Sequence, residues 1–176
     1  MARLSLSDHR HNLGLNIVHE FCWGIGFAFN DLSTILPLFL TLLGAPLSVV
    51  GSIAGVFAIL MAVPQLISAL MARNISDIKM ATVKVHLTVL PPIFLAGFVF
   101  AFFAPTGPKA WIFYYVCFIF YSLAIGLIIP IWSNFLKHVT KRNNRGTFLG
   151  ISFIGNSRGG FIGGILVKQL LVIFFL

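Results

Sequence analysis

From residue 15 onward the chain alternates long apolar runs with short polar or proline- and glycine-bearing breaks. "LPPIFLAGFVFAFFA" and "AGVFAILMAVPQLISAL" are apolar on every face rather than at every second position, which predicts lipid-crossing helices and excludes a transmembrane β-barrel. About 20 such residues cross a hydrocarbon core of about 30 Å at about 1.5 Å of rise per residue. The pattern therefore predicts an all-α, polytopic transmembrane helix bundle of five spans, at residues 15–43, 47–71, 85–104, 110–135 and 147–176, after a cytoplasmic tail at residues 1–14.

The breaks are of two kinds. "LGAPLS" and "APTGPK" read as tight turns, whereas "ARNISDIKMATVK" and "LKHVTKRNNRG" are polar and basic, and the two kinds alternate. Arg3 and Arg10 precede the first span, Arg73, Lys79 and Lys84 follow the second, and Lys137, Lys141, Arg142 and Arg145 follow the fourth. Only Lys109 and Lys168 fall on the other side, so the bias predicts a cytoplasmic N-terminus, cytoplasmic basic loops and an outside C-terminus in a cell's inner or plasma membrane. The start leads into an apolar segment about twice as long as a signal-peptide core, so a retained first helix is expected. "LLVIFFL" ends in apolar sequence without a polar tail, which reads as truncation of a longer protein.

Composition agrees: 59% hydrophobic residues, 9% charged and 19 Phe, with a mean hydropathy of +1.00. A net charge of +8 would suggest nucleic acid for a soluble chain, but here the basic residues lie between spans, and no nucleic-acid partner is expected. Cys22, Cys117 and the five histidines show no metal-ligand spacing, so neither a metal nor a cofactor is expected. No nucleophile and acid–base groups converge, and the chain does not read as an enzyme.

A few polar residues fall deep in the spans. Arg158, in "GNSRGG", lies about 18 Å of helix beyond Gly146, and a charge at that depth needs a partner or water. There are four acidic residues, Asp8, Glu20, Asp31 and Asp77. With the first span entering lipid near His19, Asp31 is expected at the depth of Arg158 and paired with it, and Glu20 near the inner interface. Two readings of that pair stay open: an ion pair fixing helix register, or a substrate or proton site at Asp31 regulated by Arg158. Asn30 lies beside a polar stripe that includes Asn16, Glu20 and Asp31, and Tyr121 lies deep in the fourth span. Asp31, Arg158, Glu20, Asn30 and Tyr121 are thus the candidates for substrate binding or proton coupling, with a His19–Glu20 relay a further reading. Gly155, Gly159 and Gly163 on the fifth span, and Gly51 and Gly55 on the second, read as helix-packing faces. Pro64 and Pro130 are expected to kink their spans.

"LPLFLTLLGAPLSVVGSIAGVFAILMAVPQLISALMARNISDIK" and "KRNNRGTFLGISFIGNSRGGFIGGILVKQLL" resemble the opening helices and the glycine-rich fifth helix of major facilitator superfamily transporters. The family's Gly-x-x-x-Asp-Arg-x-Gly-Arg-Arg loop survives here only as Ala69, Arg73, Asp77 and Lys79, so no gating role is carried onto Asp77. The resemblance implies the N-terminal part, about five of twelve helices, of a secondary active transporter with inverted helix repeats. Such a protein moves a small solute by alternating access, proton-coupled in the reading given to Asp31. Its implied partners are the lipid bilayer, a small-molecule solute, and the missing C-terminal half or another membrane subunit. A small helical membrane scaffold without transport activity is the alternative.

Overall fold

Ser5 opens the first helix in the computed structural model, which describes residues 5–175; Arg3 and Leu176, used above for charge bias and span end, lie outside the described residues. Its hydroxyl accepts the Asp8 backbone N–H at 3.0 Å and its own N–H donates to Asp8 Oδ2 at 3.0 Å, a reciprocal capping box. Helix α1 therefore runs Leu6–Phe29, and most of the expected tail is helical. It stops at Asn30, whose backbone N–H reaches the Gly26 and Phe27 carbonyls and whose side-chain amide donates to Gly26 O at 3.0 Å.

The expected first span, residues 15–43, is thus not one helix. After the turn at residues 31–34, α2 takes up Ile35–Leu42. Pro37 explains the restart, because it has no N–H to give the Ser33 carbonyl and is tolerated only in the first turn of a new helix.

Helix α3 spans Leu47–Met71, α4 Ile78–Leu87, α5 Leu90–Phe103, α6 Pro108–Val139 and, after a 3₁₀ turn at Arg142–Asn144, α7 Arg145–Phe175. No strand occurs among the described residues. Asp77 caps α4 by accepting the Met80 N–H at 2.9 Å, which starts the third apolar segment earlier than residue 85. Pro91 and Pro92 cannot donate to the carbonyls four residues back, and the ladder loosens at Thr88–Val89 between α4 and α5. Helices α3 and α6 continue through Pro64 and Pro130.

By length and composition, three helices among the described residues can cross a membrane: Leu47–Met71, Ile78–Phe103 and Pro108–Val139. The expectation of five spans is corrected accordingly. Helix α1 ends at Phe29 and carries Asp8, Arg10 and Glu20, while α7 interrupts its apolar residues with Asn156, Ser157, Arg158 and repeated glycine.

The chain divides into two compact units. One holds residues 32–136, with α2 to α5 and most of α6. Its core draws heavily on α6, where Phe118, Tyr121, Ile125 and Ile128 are buried, together with Leu36, Leu40 and Ile53. Gly126 of α6 lies against the Met61 backbone of α3, and Asn134 Nδ2 donates to the Ala72 carbonyl at 2.9 Å at the end of that helix. The other unit joins residues 1–31 to residues 137–176, and its body is α1 packed along α7.

Candidate functional site

Glycine sets the geometry of the α1–α7 contact. A Cβ on Gly155 would stand 2.8 Å from the Ile17 carbonyl oxygen and one on Gly163 would stand 3.0 Å from Ile25 Cα, while one on Gly159 would strike the Phe21 carbonyl. From the other side, Gly24 lies against the Asn156 carbonyl. Backbones approach this closely only where side chains are missing. Each facing pair is 138 positions apart (155 less 17, 159 less 21, 163 less 25), so the two helices run parallel.

That contact buries a carboxylate. Glu20 is 5% exposed and accepts a hydrogen bond from Asn156 Nδ2 at 3.2 Å. Its other oxygen lies 3.5 Å from His19 Nδ1. Trp23 Nε1, which can only donate, gives its proton to His19 Nε2 at 2.9 Å. A neutral His19 must then carry its own proton on Nδ1, facing Glu20. Trp23 and His19, and Glu20 and Asn156, thus form two hydrogen-bonded pairs, 3.5 Å apart at His19 Nδ1, an atom that makes no hydrogen bond of its own among the described residues. Asn16, one turn earlier on α1, is 8% exposed, and its Nδ2 has no hydrogen-bond partner among the described residues.

Arg158 is elsewhere. The register sets it level with Glu20, but two residues past Asn156 on a helix is about 200° around the axis, so it faces away from the carboxylate. It sits in an open groove walled by Phe21, Phe153, Ile154, Phe161 and Ile162. Asp31 comes after the end of α1 at Phe29, eleven positions on from Glu20 and past the α1 residues that meet the glycine face of α7. The expected equal depth and pairing of Asp31 with Arg158 is therefore corrected, and Arg158 forms no ion pair among the described residues. The depth was reckoned from a membrane boundary at His19, whereas the register places the α1 residue opposite Gly146 at Asp8.

The N-terminal turns of α1 meet the basic turn before α7. Asn12 Nδ2 donates to the Val139 carbonyl at 3.1 Å, and His9 packs on Phe148 with ring centroids 5.7 Å apart. Residues 5–164 match the sequence profile of the Major Facilitator Superfamily. The chain belongs to the Major Facilitator Superfamily. It is an integral membrane protein of a transporter family whose members sit in a lipid bilayer and move solutes. No curated protein and no solved structure matches the chain.

The other candidate residues of this superfamily member are dispersed. Asn30 caps its own helix, and Tyr121, 5% exposed, belongs to the unit of residues 32–136. Gly51 and Gly55 are exposed, and a Cβ there would meet nothing within 4 Å among the described residues, while α3 comes close to α6 at Met61. Arg73, Lys79 and Arg142 are exposed, and Lys141 and Arg145 half-buried. Arg145 donates to Thr140 Oγ1 at 3.1 Å and to the Lys137 carbonyl at 3.4 Å, which ties down the end of α6. Asn156 and Trp23 were not among the sequence candidates. Their signal, polar atoms within one turn of a glycine face, becomes readable only when the partner helix and register are known.

Proposed function

We propose that the chain is the N-terminal part of a secondary active transporter, a carrier rather than an enzyme, that moves a small solute by alternating access with Glu20 as its proton-coupling group. The observation that carries this reading is the buried Glu20 carboxylate, which accepts a hydrogen bond from one amide and has an imidazole nitrogen 3.5 Å away, between two helices. A carboxylate buried between two helices is costly, and a group whose protonation changes is one use that offsets such a cost. The unpartnered Asn16 amide one turn away gives a proton-bearing water or a solute a polar foothold beside it. Asn12 on Val139 supports an N-terminus on the same side as the basic turn, which the excess of Lys and Arg assigns to the cytoplasm.

The test is reconstitution of the full protein into liposomes and profiling of small-solute uptake with and without an inward proton gradient. Glu20→Gln should lose gradient-driven accumulation and keep solute exchange at equilibrium. Gradient-driven accumulation at the wild-type rate in that variant overturns the assignment.

A further inference from the structure

The groove beside Arg158 follows spacings of three and four along α7 from Gly150 to Ile162, about 18 Å of helix, with Phe21 of α1 as its far wall. Its volume is about 660 Å³, inside the range of about 300–1,000 Å³ typical of small-molecule sites. Gly150 leaves its floor open, since a Cβ there would meet nothing within 4 Å. Ser157 and Arg158 are its polar members, and the rest of the lining is phenyl, alkyl or glycine. Arg158 forms no hydrogen bond or ion pair among the described residues.

Among the described residues no carboxylate pairs with that guanidinium. Of the four acidic residues, Asp8 is bonded to Ser5 and Asp77 to the Met80 N–H. Glu20 is bonded to Asn156, and Asp31 lies past the end of α1. A cation walled by apolar side chains calls for an anion, and the walls call for hydrocarbon. A guanidinium fork matches a phosphate or carboxylate with two parallel hydrogen bonds.

We infer that the groove binds an amphiphilic anion of the bilayer, a phosphate- or carboxylate-headed single-chain lipid, with its head on Arg158 and its tail against Phe153, Ile154, Phe161 and Ile162. That this lipid is also cargo rests on the carrier reading above; that it binds does not.

The probe is dodecyl phosphate, added to the full protein in phosphatidylcholine nanodiscs and counted as bound adduct by native mass spectrometry. One molecule per chain is expected. Dodecanol and inorganic phosphate should each bind at least about tenfold more weakly, because each lacks one half of the recognition. Arg158→Gln should lose about tenfold, and Arg158→Lys less, since it keeps the charge without the fork. Gly150→Leu, placed where there is room, should fill the groove and weaken binding without disturbing the helix pair. Equal dodecyl phosphate binding by wild type and Arg158→Gln, or dodecanol held as well as dodecyl phosphate, overturns the inference. So does absence of an adduct on the wild-type protein, the outcome expected if another helix or a second copy occupies the groove. Wild-type protein that binds the probe and moves no solute under any gradient sinks the carrier reading alone. Glu20→Gln protein that binds the probe but no longer accumulates solute keeps both.

Discussion

Asn156 of α7 donates its side-chain amide to Glu20 of α1 at 3.2 Å, inside a contact where glycine brings the two backbones together. A buried carboxylate that loses such a donor bears the whole cost of desolvation, about 1–3 kcal/mol or more. Asn156→Leu should therefore lower the thermal midpoint in detergent clearly, and Glu20→Gln placed on top should recover part of the loss. An Asn156→Leu protein that melts with the wild type would show that the bond contributes nothing.

The glycine face discriminates by position. Gly159→Ala puts a Cβ into the Phe21 carbonyl, and the forced separation of the helices should cost about 1–3 kcal/mol. Gly164→Ala meets nothing within 4 Å and should be neutral or slightly stabilising, since alanine is the better helix former by about 0.5–1 kcal/mol. Urea- or detergent-induced unfolding of the two variants side by side checks this, and equal stabilities would contradict it.

Trp23 fixes which nitrogen of His19 carries the proton. Nitrogen NMR of labelled histidine should find His19 Nε2 as the acceptor and Nδ1 protonated, and Trp23→Phe should mix the tautomers. A wild-type spectrum with Nε2 protonated would refute the arrangement.

The first turn of α1 should respond to acid. The Ser5 side chain, and then its backbone N–H, hold the Asp8 carboxyl below its ordinary value of 3.8. A depressed carboxylate contributes stability above the unfolded value and loses it as pH falls through the folded one. The protection of the Ser5 and Asp8 amides, after division by the intrinsic pH dependence of exchange, should thus be level above about pH 4 and fall below it, and Ser5→Ala should flatten the profile.

The class of the molecule was legible from uninterrupted apolar runs, because it depends on composition over twenty or so residues, and the superfamily was legible from the resemblance of two local stretches, at residues 36–79 and 141–171. What escaped depends on single atoms. An average over the first span passes through Asn30 and Pro37 without registering that one caps a helix and the other cannot continue it. "SLSD" holds a capping signal, yet basic residues around it made the segment read as tail. The spacing of Gly155, Gly159 and Gly163 names a face but not the helix laid on it. Without that helix the level of Arg158 could be reckoned only from a guessed lipid boundary, and the error gave it a partner that lies past the end of α1.

Contacts made backbone to backbone have a mechanical consequence. Sliding between packed helices is ordinarily absorbed by side chains that hop between rotamers, and Gly24, Gly155 and Gly159 have none to offer. The α1–α7 pair is consequently stiff along its length. In a carrier of the kind proposed, these two helices would move together, with Glu20 riding inside as on a single beam.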